Sequence, residues 1–305
     1  MEDVVSKGYS ITKKEEFMSL EEIHLCLKSL AQFNAVSFCM ESEGGKLTEL
    51  REKFPKTWED CLGSEQNHEG LRPYFENEMR AVLKLLIAVL DQKEKGNPLL
   101  NDLVIPTNIS KDLLSKIAEY PMMKVFTATR AQNLGEAGVL AHGDYHMWNV
   151  AIKDDLIKMF DFQIIHYSSF GGDLNRFLSQ ASTPTQRKQH LTNFLQSYVD
   201  AFKDACAKMG FSDVGDKMTF DFCRKEYVDQ SAQGLLIGSV FVMPRFIEDT
   251  EIYGQAKNSS ASSDIVELLE KSSKSIWMAI QLYFEFIDDY LSLGTFSRIE
   301  NILKQ

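Results

Sequence analysis

The chain has 305 residues, 44% hydrophobic and 25% charged, an ordinary globular composition. Its formal net charge is −11, and an acidic surface repels phosphate backbones, so nucleic acid is excluded as the main partner. Its longest mainly apolar stretch, about ten residues from Leu235, falls well short of the roughly 20 that span a bilayer, so no membrane partner is expected.

Five cysteines (Cys26, Cys39, Cys61, Cys206, Cys223) are widely spaced, odd in number and form no C-x-x-C pair. A disulfide framework or structural zinc site is therefore not expected, and a reducing compartment is. The opening "MEDVVSKGYS" lacks the apolar core of a signal peptide, so the expected location is cytoplasmic.

In chain order, residues 19–40 read as a helix. Ser19 and Glu22 make a capping box, and Ile23, Leu27, Leu30, Phe33 and Phe38 recur near helical spacing. Residues 41–73 read as irregular, broken by "ESEGGK" and Pro55. A second helix is predicted from about Phe75 to Lys95, stopped by Gly96 and Pro98, and a shorter one over 111–118. The texture then changes: from Val139 to Ile165, short β-branched runs alternate with tight polar punctuation, as strands do. Helical patterns return over 174–181, 187–209, 220–242 (ended by Pro244), 263–271 and 275–291, with "NSSASS" at 258–263 as a loop. "FIDDY" at 286–290 reads as a solvated helix face. The expected class is α+β, mostly helical, with one small β insert, and 1–305 is read as a single domain.

The β insert carries the chemistry. In "NVAIKDDLIKMFDFQ" (149–163), apolar residues flank a polar centre, which predicts a hairpin turning at Asp154–Asp155. Lys153 then faces Leu156, and Asn149 faces Phe160, so Asn149 and Asp161 meet at the open end. Asp144, five residues before Asn149, sits on a loop that doubles back to the same spot. Asn149 and Asp161 offer oxygen ligands suited to Mg2+, which takes its other oxygens from waters and phosphates. Asp144 is then left to accept a proton. Two other readings stand beside this one. His142, Asp144 and His146 alternate by two and could form the metal site of a hydrolase. Asp144, Asn149 and Asp161 could also be plain turn residues.

"HGDYHMWN" (142–149) followed by "DFQ" (161–163) resembles the H-G-D-x-x-x-x-N … D-F segment of choline-kinase-like and aminoglycoside-phosphotransferase-like small-molecule kinases. The "DFQ" ending with "FGGDLNRFL" (170–178) resembles more narrowly the ecdysteroid-kinase-like branch. "LEEIHLCLKSLAQFNAVSF" (20–38) is similar to its first large-lobe helix, and "GLLIGSVFVMPRFIED" (234–249) and "FIDDYLSLGTF" (286–296) to its C-terminal stretches. The resemblance implies the large, C-terminal lobe of a protein-kinase-like fold. Residues 1–10 would be hinge-like, 139–165 the catalytic loop and metal-binding hairpin, and 174–305 the helical substrate region.

It also implies ATP-dependent phosphorylation of an alcohol hydroxyl, ecdysteroid or sterol-like or choline-like. Asp144 would be the catalytic base. Asn149 and Asp161 would hold Mg2+ on ATP, and Ala151 and Phe160 would line the floor of the adenine pocket. His142 would brace the loop, Phe162 would pack beneath the metal-binding turn, and Asp173 would cap the "LNRFL" helix and tie it to the loop. No G-x-G-x-x-G occurs among the 17 glycines, and no V-A-x-K-like strand precedes the first helix. The small lobe of such kinases is therefore expected to be absent, leaving apolar surface bare near the hinge. The alternative function is a non-catalytic lobe that binds a ligand or partner.

Overall fold

The computed structural model describes residues 3–13, 16–55, 65–130, 137–241 and 274–304. The fold is mostly helical with two small antiparallel sheets, an α+β arrangement.

Helix α1 (Leu20–Ser42) begins at a reciprocal capping box. Ser19 Oγ accepts from the Glu22 N–H at 3.2 Å, and the Glu22 carboxylate accepts from the Ser19 N–H at 2.8 Å. The breaker "ESEGGK" acts as a joint rather than the start of a long loop. Gly44 and Gly45 take left-handed φ of 78° and 75°, and α2 (Lys46–Lys53) follows at once. Helix α3 (Glu65–Glu94) starts ten residues before its apolar stripe, because its first turns carry no helical apolar period. It ends as "KGNP" predicts. Gly96 takes φ 74°, and the Asn97 and Gly96 N–H groups reach back to Gln92 O and Lys93 O at 3.1 and 3.0 Å, a Schellman closure. Helix α4 (Lys111–Ala118) lies where expected, and α5 (Met122–Arg130), which the periodicity does not reveal, follows.

Strands β1 (Gly138–Ala141), β2 (Val150–Lys153), β3 (Leu156–Met159) and β4 (His166–Ser169) fill the predicted strand-rich segment. β1 pairs with β4 and β2 with β3. Lys153 faces Leu156 and Val150 faces Met159, the register read from the turn. Asp154 alone of the two turn residues has a positive φ, 51°. The N-terminal segment adds to this hairpin: Ser10 and Ile152 exchange two backbone hydrogen bonds of 2.8 Å. Val5, Ile11 and Leu156, in this segment and the hairpin, are exposed apolar side chains.

Helix α6 (Phe170–Ala181) follows β4 without a loop. It starts four residues earlier than its apolar pattern suggests, because Gly171 is helical here, not a breaker. A Cβ at Gly171 would lie 2.6 Å from the Glu226 carbonyl oxygen, so glycine permits the close approach of the next helix pair. Helix α7 (Pro184–Lys208) starts at a Thr183/Gln186 capping box with proline at its first position. After the single turn α8 (Ser212–Gly215), the helix expected over 220–242 is two helices. They are α9 (Phe220–Asp229) and α10 (Ser231–Phe241), broken at Gln230. The apolar run continues across the break, so only the polar "DQS" marks it. Helices α11 (Lys274–Ser292) and α12 (Thr295–Leu303) close the described chain; α12 was not expected. The helix predicted over 263–271, the loop at 258–263 and Pro244 lie outside the described residues.

One apolar core gathers α1, α6, α7, α9 and the strands, and a second gathers α3, α4, α5, α10, α11 and α12. "FIDDY" is not a solvated face. Asp289 is buried and pairs with Arg187 Nε at 2.7 Å, and Arg187 also donates to Ser182 O at 2.7 Å and Leu178 O at 3.0 Å. The Phe286 ring lies 5.4 Å from this guanidinium. Cys26, Cys39, Cys206 and Cys223 are buried thiols. Among the described residues no helix is long and apolar enough to cross a membrane.

Candidate active site

The loop 142–149 joins β1 to β2, and its path is fixed from below by α6. The Asp173 carboxylate, in the first turn of that helix, accepts from the His142 N–H at 2.7 Å and the Gly143 N–H at 2.9 Å. It is buried, so these charge-assisted bonds supply its solvation. Asp173 therefore ties helix to loop, but it does not cap the helix. Ser169 is the N-cap, and its hydroxyl accepts from the Gly171 N–H at 3.1 Å. Gly143 takes φ 80°, and a Cβ there would collide with the Ile164 carbonyl oxygen.

His142 is fully buried. Its Nε2 lies 3.1 Å from Phe160 O, which can only accept, and its Nδ1 receives the Asp144 N–H at 3.4 Å. In the neutral ring these partners place the proton on Nε2. It spans from the loop to the end of β3, and its face meets Phe162 at 4.6 Å. Phe162 in turn meets Phe33 of α1 at 5.7 Å and keeps 40% of its surface exposed. Tyr145 pins the loop to α1 through its hydroxyl, 2.8 Å from Cys26 O. Burial pushes that hydroxyl well above the usual tyrosine range.

Asn149 Nδ2 donates to Asp144 O at 3.0 Å, and Asn149 O accepts the Phe160 N–H at 3.1 Å. Asp144, Asn149 and the Phe160–Asp161 step are thereby brought together at the open end of the hairpin. Asp161 is exposed and holds φ 63°, a conformation that non-glycine residues rarely adopt. Val150, Ile152, Ile157 and Met159 pack on the core, so strand alternation places Asn149, Ala151, Lys158 and Phe160 on the opposite face. Ala151 is buried there, opposite Lys158, and Phe160 is half-buried.

Sequence reasoning missed Arg176. It is three residues beyond Asp173 on α6, hence on the same helix face, and its guanidinium pairs with the Asp144 carboxylate. That spacing was the available signal. His146 Nε2 lies 3.5 Å from the same carboxylate, and all three side chains are 12–15% exposed. Burial lowers the His146 pKa; Arg176 and His142 add to this, Asp144 opposes it, and the result is about 4.

The metal triad His142–Asp144–His146 is not formed. His142 uses one ring nitrogen on the loop backbone at Asp144 and the other on Phe160 O, and His146 Nδ1 accepts the Trp148 N–H at 3.2 Å. Among the described residues no three His, Cys, Asp or Glu side chains are grouped to hold a metal. Asn149 and Asp161 are a different donor set. The Asn149 amide nitrogen is engaged by the loop, and its amide oxygen and the carboxylate of Asp161, the residue after the Phe160 N–H that Asn149 O accepts, are hard donors. Two such oxygens fit a Mg2+ ion that keeps waters or phosphate oxygens in its other positions.

Among curated proteins none matches the chain. Residues 1–211 match the model of the ecdysteroid kinase-like family, a span that includes every site residue named above. The stretches 234–249 and 286–296 lie beyond the match. With more than half its length matched and the loop, hairpin and α6 all inside that span, the chain belongs to the ecdysteroid kinase-like family.

Proposed function

We propose that the chain is an ATP-dependent phosphotransferase that phosphorylates a hydroxyl of a small-molecule alcohol. An ecdysteroid or related sterol alcohol is the first candidate and a choline-like alcohol the second. The observation that carries this reading is the bond from Asn149 Nδ2 to Asp144 O, which makes a candidate base and a candidate metal ligand parts of one rigid loop.

In this reading the described chain works as the large lobe of a protein-kinase-like fold in the cytoplasm. The hinge-like segment 1–10 would meet β2 through the Ser10–Ile152 pairing, and the helices after 174 would form the acceptor side. Asp144 accepts a hydrogen bond from the acceptor hydroxyl, orients its lone pair, and takes the proton as the new O–P bond forms and the γ-phosphorus bond to the bridging oxygen breaks, releasing ADP. Asn149 Oδ1 and the Asp161 carboxylate would hold Mg2+. When bound, that ion neutralises charge on the phosphate oxygens. Ala151 and Phe160, on the outward face of the hairpin, would floor the nucleotide. His142 and Asp173 contribute rigidity, so the polar groups need little reorganisation during transfer.

The test is phosphate transfer from γ-labelled ATP to 20-hydroxyecdysone and to choline. The reading expects Mg2+-dependent product with one of them, reduced at least about 100-fold in Asp144→Asn. No transfer to either acceptor, with no Mg-ATP binding, would leave a non-catalytic lobe.

A further inference from the structure

We propose that Arg176 is the cation that neutralises the transferring phosphoryl group, supplied by helix α6 rather than by the catalytic loop. The inference rests on the phosphotransferase reading above.

Asp144 and Asp161 are both carboxylates, and an incoming nucleotide triphosphate adds several more negative charges. A divalent ion offsets part of this, and the remainder must be met by a fixed cation if transfer is to be fast. Among the described residues, no lysine and no other arginine pairs with Asp144 or Asp161. The other nitrogen base at Asp144 is His146, 3.5 Å away. An imidazole is charged only below its pKa, whereas a guanidinium is charged at every physiological pH.

Position supports the same role. Arg176 contacts the carboxylate that would receive the acceptor's proton. The acceptor oxygen must lie within hydrogen-bond reach of Asp144 and also in line with the phosphorus. A guanidinium paired with Asp144 is therefore a near neighbour of the equatorial phosphoryl oxygens. A guanidinium is a planar fork of five N–H donors, which suits it to bridging a carboxylate and a phosphoryl oxygen.

Mounting completes the case. The Arg176 side chain is 12% exposed, so its field is weakly screened. One helical turn earlier, Asp173 clamps the backbone of His142 and Gly143. Helix α6 thus holds the loop with one residue and the cation with another, and the two move as a unit. Arg176 also lines a cavity of about 10 Å³, shared with Gly143, Ser168, Gln233 and Ile237, room for no more than one water. The cation is packed in place rather than swinging in solvent.

The test uses the full chain and calorimetry, with Mg-ADP alone and Mg-ADP plus aluminium fluoride, which mimics the transferring phosphoryl. Wild type should bind Mg-ADP and bind it more tightly with fluoroaluminate. Arg176→Gln should keep its Mg-ADP affinity within about twofold and lose at least about tenfold of the fluoroaluminate gain. Arg176→Lys, a point charge in place of a fork, should lose an intermediate part of that gain. A purely structural Arg176 would not separate the two ligands. If Arg176→Gln does not fold, the lysine variant decides: a folded Arg176→Lys with the full wild-type gain overturns the proposal. Arg176→Gln with an undiminished gain overturns it, and so does a wild type that binds Mg-ADP but gains nothing from fluoroaluminate. A wild type that does not bind Mg-ADP at all overturns the phosphotransferase reading, and this one with it.

Discussion

Asn149 donates its side-chain N–H to the backbone carbonyl of Asp144, 3.0 Å away, across five residues of loop. The bond makes the positions of the two residues interdependent. Asn149→Ala should therefore do two things. It removes a metal-ligand oxygen, and it leaves the Asp144 carbonyl without its donor. Loss of Mg2+-dependent ATP binding should accompany a drop in stability of roughly 1–2 kcal/mol, read by urea denaturation. Asn149→Asp keeps an oxygen donor but sets a carboxylate against the Asp144 carbonyl, and it should not restore the stability.

Asp173 anchors the loop through two buried backbone bonds. In Asp173→Asn, one of the two N–H groups must face an amide donor instead of an oxygen. A buried unsatisfied donor costs roughly 1–3 kcal/mol. Chemical denaturation should show that loss, and hydrogen exchange of the His142 and Gly143 amides should speed up more than exchange elsewhere.

Gly143 combines a positive φ of 80° with backbone contact to Ile164. An alanine there meets both the left-handed penalty and a carbonyl oxygen that cannot rotate aside. Gly143→Ala should lower stability by roughly 2–4 kcal/mol, measured by chemical denaturation. Gly210 has a similar φ of 88° but open space around it, so Gly210→Ala should cost only about 1 kcal/mol.

The pairing of Arg187 with Asp289 joins α7 to α11 in the interior. Removing one partner strands a buried charge. Asp289→Ala should destabilise the protein by roughly 3–5 kcal/mol, and Arg187→Met combined with Asp289→Leu should recover most of that. A double-mutant cycle by urea denaturation measures the difference.

His146 gives stability a pH dependence. Its native pKa is about 4 against an ordinary 6.5, with burial the main cause and Arg176, His142 and Asp144 around it. Between these values the unfolded chain binds the extra proton, so stability rises with pH. The contribution is complete above about pH 6.5 and is lost as the pH falls towards 4, on the order of 3 kcal/mol in all. The unfolding free energy should rise more steeply with pH across this window in the wild type than in His146→Gln, read from denaturation curves at each pH.

The hairpin was legible because alternation around "KDD" admits few registers, and a one-residue slip would turn Val150 and Ile152 away from the core. The capping boxes at Ser19 and the Gly96 stop were legible for the same local reason. Helix α6 was read too short because "FGG" looks like a loop, whereas Gly171 serves the contact with α9 and Gly172 the contact with α10. Asp289 was misread because an ion pair between elements leaves no periodic trace, whereas Arg176 had a signal in its three-residue spacing from Asp173 but nothing in the sequence to name its partner. The α9–α10 break was hidden by an apolar run that suits either one helix or two.

The central claim is that Asn149 and Asp161 hold a metal that in turn holds a nucleotide. The most direct measurement is calorimetric titration of the full chain with ATP, with and without Mg2+, for the wild type and Asp161→Ala. Mg2+ should tighten ATP binding at least about tenfold in the wild type and have no effect in the variant. Binding that ignores both Mg2+ and Asp161, or no binding under any condition, would contradict it.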